Sequence, residues 1–436
     1  MSKINIGIIG LGTVGGGVVN VLMRNHDEIT RRAGHEITIV QAAVNSLGRE
    51  RICPTDHFEV TDDPFAVVNN PDIDVVLELM GGENPARELV LQAIANGKHV
   101  VTANKALIAL HGNEIFSQAR EHGVTVGFEA AVAGGIPIIK AIREGLTANR
   151  IGYLAGIING TGNFILSEMS AKGRAFDDVL SEAQELGYAE ADPTFDVEGI
   201  DAAHKLCILS SIAFGISLQF EAVYTEGISQ LTREDIRFAD ELGYVIKHLG
   251  VARSTDQGIE MRVHPALIPK TQLLANVNGV MNAVLVQGDA VGPTLYCGAG
   301  AGAEPTASSV IADLVDVIRD IDSGASGRMP HLAFQSEPSS PLPVLSVEEV
   351  VTAYYLRFEV LDKPGSLAEI TAIFGNKGIS IEALIQKEPE SGSSHVPLIL
   401  LTYKVKEKAL NEALKEVEAL ASVSGSITKI RVETGN

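Results

Sequence analysis

Ile4-Asn5-Ile6-Gly7-Ile8-Ile9 runs directly into Gly10-Leu11-Gly12-Thr13-Val14-Gly15, and this junction decides how the N-terminal part of the chain folds. The first stretch is largely apolar and β-branched, which reads as a buried strand. Val14–Met23 then carries helical spacing. A GxGxxG placed between a strand and a helix has one glycine for a tight turn, one for close approach of a pyrophosphate and one for helix packing. The free N–H groups at the helix start add partial positive charge. Gly10, Leu11, Gly12, Thr13, Val14 and Gly15 are therefore candidate cofactor contacts. Read as packing alone, the same glycines would make only a tight turn.

Working outward, Glu36–Val44, Asp74–Leu79, His99–Thr102 and Val124–Phe128 read as further strands, and Arg87–Ala95 and Asn113–His122 as helices between them. This alternation predicts a parallel, doubly wound α/β sheet of the Rossmann type over residues 1–134. The second strand ends at Val44-Asn45-Ser46 with Arg49 and Arg51 beyond. A carboxylate there would hold the ribose hydroxyls of NAD. None is present, so Asn45 and Arg49 point to NADP, or to use of both cofactors. The alternative is a pair of solvated loop arginines.

Beyond Gly135 the rhythm changes. Helices are expected at Ile138–Leu146, Asn163–Lys172, Phe176–Leu186 and Ile200–Phe214, and strands at Ile151–Ile158, Glu260–His264 and Ala283–Gln287. Mixed elements without βαβ regularity predict an α+β domain over 135–303 for substrate binding and dimerisation. A long helix over 304–322 is expected to pack back on the first domain. Gly, Ser and Pro enrichment from Ser323 to Pro343 predicts a linker, taken as 323–350. Residues 351–436 then read strand, helix, strand, strand, helix, strand, the ferredoxin-like βαββαβ order.

Composition narrows the function classes. The 436 residues are 45% hydrophobic and 20% charged, with a net charge of -21. Such acidity disfavours nucleic acid and anionic membrane. No apolar run approaches the roughly 20 residues that a membrane span needs. Cys53, Cys207 and Cys297 show no paired spacing, so reduced cytoplasmic thiols are expected.

Candidate chemistry gathers in a few places. Asp201 and Lys205 stand four apart and share a helix face. They would make either a simple ion pair or a proton-handling pair. Lys105, after Thr102-Ala103-Asn104, lies where strand ends meet a cofactor crevice. The turn from Phe128 to Pro137 offers Glu129 and several carbonyls. It reads as an interdomain hinge or as a site for a hard cation.

These stretches together resemble homoserine dehydrogenase with a C-terminal ACT regulatory domain. The resemblance spans nearly the whole chain. Its landmarks are the glycine loop, Thr102-Ala103-Asn104-Lys105, Glu129 to Pro137, Asn159-Gly160-Thr161-Gly162-Asn163, Gly187-Tyr188-Ala189-Glu190-Ala191-Asp192-Pro193 with Asp201 and Lys205, and Gly300-Ala301-Gly302. It implies NAD(P)-dependent interconversion of L-aspartate 4-semialdehyde and L-homoserine, on the route to threonine, methionine and isoleucine. Lys205 would be the general acid, and Glu190 and Asp201 substrate ligands. Lys105, Gly187 and Gly302 would contact cofactor. Glu129, with the carbonyls of Val132, Gly134 and Ile136, would hold sodium. In the terminal unit Asp362, Pro364, Gly365, Ser366 and Ile379 match an effector site for L-threonine, in a homodimer or homotetramer. A dimerisation module without sensing is the plainer reading of that unit. A different small-aldehyde oxidoreductase, or a non-catalytic amino-acid sensor, are the alternatives for the whole chain.

Overall fold

The computed structural model describes residues 3–324, 329–335, 342–387 and 394–435. Much of the expected Gly/Ser/Pro-rich linker, including 325–328 and 336–341, lies outside the described residues. The chain forms two compact units, each assembled from separate stretches: Met1–Gly160, Asp201–Val223 and Val280–Pro341 in the first, and Thr161–Ile200, Tyr224–Gly279 and Leu342–Asn436 in the second.

The first unit is built on six parallel strands: β1 (Lys3–Ile9), β2 (Glu36–Ala43), β3 (Glu59–Thr61), β4 (Val75–Glu78), β5 (His99–Thr102) and β6 (Val126–Gly127). Their spatial order is β3-β2-β1-β4-β5-β6, the order of a dinucleotide-binding sheet. The central strands are apolar on both faces, as a sheet covered by helices requires. Ile6, Ile8, Val75, Leu77 and Val101 are all fully buried, each worth roughly 1.5–3 kcal/mol of apolar transfer. The same unit holds β7 (Ile151–Ile157), β11 (Met281–Gly288) and β12 (Gly292–Ala299), an antiparallel set with β11 in the middle.

The long helix Ala303–Ser323 lies on the helix Thr13–Arg24. The approach is close enough that a Cβ at Gly17 would sit 2.4 Å from the Ala303 carbonyl oxygen. Arg24 and Glu304 pair at its start, 2.6 Å apart.

Segment 329–335 also fastens to this unit. The Val126 N–H donates to Nε2 of His331 at 3.1 Å, and the imidazole stacks on Phe116 at 4.7 Å. Burial holds His331 neutral, lowering its pKa to about 3, and lowers that of His204 to about 4. Below pH 6.5 the unfolded chain takes up these protons and the folded chain does not. Stability is therefore expected to fall as pH drops from 6.5 toward 4, by up to about 1.4 kcal/mol per pH unit for each histidine. Thermal unfolding across that range checks this, and His331→Gln should flatten the slope. An unfolding midpoint that stays level below pH 6.5 would contradict it.

The second unit carries β8 (Tyr224–Thr225), β9 (Tyr244–Ser254), β10 (Ile259–Pro269), β13 (Val351–Leu361), β14 (Ile381–Gln386), β15 (His395–Thr402), β16 (Val405–Lys406) and β17 (Val423–Val432). They join in the order β9-β10-β17-β13-β15-β14, with β8 on β10 and β16 on β13. The helices Ser366–Asn376 and Glu407–Glu418 complete the βαββαβ order expected of the C-terminal part. Its last strand runs parallel to β10, pairing Ala266 with Arg431 and Leu267 with Val432.

Several elements go beyond the sequence pattern, among them the helices His26–Ala33 and Pro64–Asn69 and the strands β3 and β12, and two of the others have a clear physical reason. Strand β9 hides Lys247 and His248 in its interior and carries Gly250, which masks its apolar run. The helix Arg233–Glu241 opens with a capping box in which Thr232 and Asp235 bond each other's backbone, a short signal that the flanking charges obscure.

Candidate active site

The glycine loop is shaped for a phosphate. Gly10 has φ 100°, and a Cβ there would lie 2.8 Å from the Leu79 carbonyl oxygen. At Gly15 a Cβ would sit 1.9 Å from the Gly10 carbonyl oxygen, so only glycine lets the helix begin this close to β1. Gly12 differs: nothing lies within 4 Å of its missing Cβ. That open side faces a cleft of about 330 Å³, lined by Gly10, Leu11 and Gly12 and also by Asn45, Arg49 and Arg51. The residues present therefore fit a dinucleotide. The glycine loop and both arginines lie on one cleft, where the end of β2 offers Asn45 and the carboxylate on the wall is Asp62, beyond β3.

At the ends of β4 and β5, Glu78 is fully buried. Burial pushes its carboxyl above the ordinary range, while hydrogen bonds from Thr102 and from the backbone of Met80 and Gly81 partly offset this. Thr102 Oγ1 donates to it at 2.6 Å and accepts the Asn104 N–H at 3.0 Å. Asn104 then caps the helix Lys105–His122 by accepting from the Leu107 N–H at 3.1 Å. This lattice fixes where Lys105 leaves the backbone. Only the glutamate ending the apolar run Val75-Val76-Leu77 hinted at it in the sequence.

Lys105 and Lys205 meet at Asp201. Asp201 Oδ1 lies 3.2 Å from Lys105 Nζ, and its Oδ2 accepts from Lys205 Nζ at 2.7 Å and from Asn159 Nδ2 at 2.8 Å. Lys205 Nζ also donates to the Ile158 carbonyl at 2.7 Å. Burial alone would raise the Asp201 carboxyl. The two ammonium charges and the hydrogen bonds from Lys205 and Asn159 outweigh it and hold the group at about 2. The Lys205 side chain is 12% exposed and that of Lys105 33%, so neither lysine is sealed in the core. The Ile158 carbonyl is a part that the sequence does not single out, and Asn159 figures there only within the Asn159–Asn163 landmark, without a role.

The remaining candidates fall elsewhere. Gly302, φ 123°, caps the helix Ala303–Ser323 in the first unit. Gly187, φ 74°, and the exposed Glu190 follow the helix Phe176–Glu185 in the second unit. Glu129 is buried, and its carboxylate accepts the N–H groups of Ile139 and Lys140 at 2.8 and 2.7 Å. Ser309 donates to the Gly134 carbonyl and the Ile138 N–H to the Ile136 carbonyl. Each carbonyl keeps a second lone pair. Val132 lies in the same buried turn. Among the described residues no group of three or more His, Cys, Asp or Glu could hold a metal, so this turn suits only a hard ion bound largely by carbonyls. In the C-terminal part Gly365, φ 102°, caps the helix Ser366–Asn376, with Asp362 and Pro364 exposed before it and Ile379 buried after it. Ser366 is buried with its Oγ bonded to no described group.

A carboxylate that presents two ammonium groups beside the strand ends of a dinucleotide-binding sheet is machinery for moving a proton to or from oxygen as a hydride is transferred. It places the chain among the nicotinamide-dinucleotide oxidoreductases. Three family models match it: "Homoserine dehydrogenase, NAD binding domain" over residues 10–129, "Homoserine dehydrogenase" over 137–315 and "ACT domain" over 354–422. A homoserine dehydrogenase of Pseudomonas aeruginosa is 63% identical over 436 residues, covering all of both chains. A crystal structure of a homoserine dehydrogenase from Thiobacillus denitrificans is 63% identical with a TM-score of 0.95, covering 100% of this chain and 99% of its own. A hyperthermophilic archaeal homoserine dehydrogenase in complex with NADPH is 26% identical with a TM-score of 0.63, covering 73% of this chain and 98% of its own. The chain belongs to the homoserine dehydrogenase family. No helix among the described residues is long and apolar enough to cross a membrane.

Proposed function

We propose that the Asp201–Lys205–Lys105 cluster is where this chain interconverts L-aspartate 4-semialdehyde and L-homoserine, a step toward threonine, methionine and isoleucine. The observation that carries this is Lys205 Nζ, held 2.7 Å from both Asp201 Oδ2 and the Ile158 carbonyl on a side chain that keeps 12% exposure. A bound nicotinamide supplies or accepts the hydride. In the reducing direction negative charge grows on the substrate oxygen, and Lys205 delivers a proton to it. Asp201, proposed as a substrate ligand, also holds both lysines in place through its two carboxylate oxygens. Lys105 adds a second positive charge beside cofactor and substrate. Glu190 is proposed to hold the substrate ammonium, and Gly187 and Gly302 to border the cofactor. Purified chain given L-homoserine, other small hydroxy amino acids and simple alcohols, with NAD+ and NADP+ in parallel, tests the reading. Faster oxidation of any alcohol other than homoserine would overturn it.

NADP is the proposed preferred cofactor, supported by Arg49 and Arg51 on the cleft and by the absence of a carboxylate at Val44-Asn45-Ser46. Arg49→Ala is expected to raise KM for NADP+ by roughly tenfold or more, as for loss of a charged hydrogen bond. KM for NAD+ should move little. Equal changes for both cofactors would argue that Arg49 does not meet the 2′-phosphate.

A sodium ion is proposed at Glu129 and the carbonyls of Val132, Gly134 and Ile136. Supporting it is a buried carboxylate that burial and the neighbouring Asp313 charge push up to about 8, a setting in which a cation would restore the ionised form.

L-threonine is proposed as the effector, at Asp362, Pro364, Gly365, Ser366 and Ile379 between paired ACT domains of a homodimer or homotetramer. The helix start behind Gly365 suits a carboxylate, and the buried Ser366 Oγ suits a polar group of the amino acid. Activity measured against threonine concentration should fall, and Ser366→Ala should raise the half-inhibiting concentration by roughly tenfold, the worth of one good hydrogen bond. A flat curve for the native chain would leave only a dimerisation role.

A further inference from the structure

Lys247 is an interior charge with no carboxylate to answer it among the described residues. It sits in β9 with 1% exposure. Its Nζ donates to the Val277 carbonyl at 2.6 Å, to Asn278 Oδ1 at 2.9 Å and to Asn163 Oδ1 at 3.2 Å. Burial lowers its pKa to about 8. Taking an ammonium out of water costs several kcal/mol even after relaxation, and an apolar side chain of similar volume often stabilises a core better. The acceptors show what the lysine secures instead.

Asn163 stands in the first turn of the helix Gly160–Lys172. Its Nδ2 donates to the Val277 and Gly279 carbonyls at 3.1 and 3.0 Å, and Ser167 Oγ accepts the Gly279 N–H at 3.1 Å. Lys247 bridges both sides of this seam, holding Asn163 and residues 277–278 at once. One helical turn before Asn163, the same segment provides the two contacts of the proton-transfer cluster: the Ile158 carbonyl on Lys205 and the Asn159 amide on Asp201. Ile158 and Asn159 lead directly into the first residue of that helix, Gly160, so the backbone that carries both contacts is joined to the turn holding Asn163 by a single residue step.

We propose that Lys247 is a positioning residue for proton transfer: by fixing Asn163 against Val277 it sets the turn that delivers Ile158 O and Asn159 Nδ2 to Lys205 and Asp201. This rests on the assignment of Lys205 as the general acid. Lys247 itself touches neither substrate nor cofactor.

Steady-state homoserine oxidation by the full chain tests it. Lys247→Met is expected to lower kcat roughly 10- to 100-fold, the scale of a small misplacement of a catalytic group. KM for homoserine and dinucleotide affinity should stay within about threefold, which separates this from loss of a binding element. In an Asn159→Ala background the same change should cost less than it does in the native chain, because one of the two contacts it acts through is already gone. Native kcat in Lys247→Met would overturn the proposal, as would a lowered unfolding midpoint with native kcat, a matching loss of dinucleotide affinity, or full multiplication of the two losses. If Lys247→Met does not fold, Lys247→Gln, which keeps a neutral donor, decides: several-fold lower kcat at native KM supports the proposal and native kcat overturns it. A native chain that does not oxidise homoserine would instead refute the reaction assigned to the cluster.

Discussion

Lys205→Ala is expected to lose turnover by roughly 100- to 10,000-fold, the range for removing a positioned general acid, while binding dinucleotide within a few-fold of the native chain. The split follows from where the lysine sits. Its ammonium bonds Asp201 and the Ile158 carbonyl, whereas the cofactor cleft is lined by the glycine loop and the segments that follow β2, β3 and β4. Removing it leaves the Asp201 carboxylate with Lys105 and Asn159 as partners, so the charge is not stranded and the fold should survive. Kinetics at saturating cofactor, paired with a dinucleotide titration, read the two quantities separately. Turnover within a few-fold of native would remove Lys205 from the chemistry.

The second large effect belongs to the glycine loop, and two neighbouring substitutions should differ in kind. Gly15→Ala would drive a methyl to 1.9 Å from the Gly10 carbonyl oxygen. The loop must then open, so both the unfolding midpoint and the dinucleotide affinity should fall. Gly12→Ala meets nothing in the protein within 4 Å and should unfold like the native chain. Its methyl projects where the pyrophosphate approaches, so dinucleotide Kd should rise by roughly 100-fold, about 2.7 kcal/mol. Fluorescence titration and calorimetry on both variants would show this contrast. Equal binding by Gly12→Ala and the native chain would mean that the phosphates lie elsewhere.

These contrasts also mark how far the sequence could be read. The strand–loop–helix junction at Ile4–Gly15 was legible because the chemistry is local: each glycine acts within a few residues of itself. The helix Ile200–Phe214 was legible from periodicity, and with it the shared face of Asp201 and Lys205. What that pair does was not legible. The Asn159 amide and Lys105 reach Asp201, and the Ile158 carbonyl reaches Lys205, from distant parts of the chain, and spacing along one helix says nothing of partners on another. Lys105, which the resemblance makes a cofactor contact, also lies 3.2 Å from the Asp201 carboxylate, a pairing that spacing does not reveal.

Buried polar groups limited the reading of strands in the same way. Lys247 and His248 interrupt the apolar pattern of β9, which is therefore not among the expected strands, because pattern reading treats charge as surface. Their burial became intelligible only once the acceptors at Asn163, Val277 and Glu226 were visible. The glutamate at the end of β4 is a similar case: Glu78 holds the segment ahead of Lys105 through Thr102, a role that needs the parallel pairing of β4 with β5.

The most direct test of the central claim is a single turnover. Native and Lys205→Ala chains are each loaded with NADPH and mixed with excess L-aspartate 4-semialdehyde, and oxidation of the bound cofactor is followed with time. The native chain should oxidise one equivalent and yield L-homoserine, and the variant should hold its NADPH and react far more slowly. Equal rates in the two chains, or cofactor oxidation without homoserine, would contradict the assignment of the Asp201–Lys205–Lys105 cluster as the place where the aldehyde is reduced.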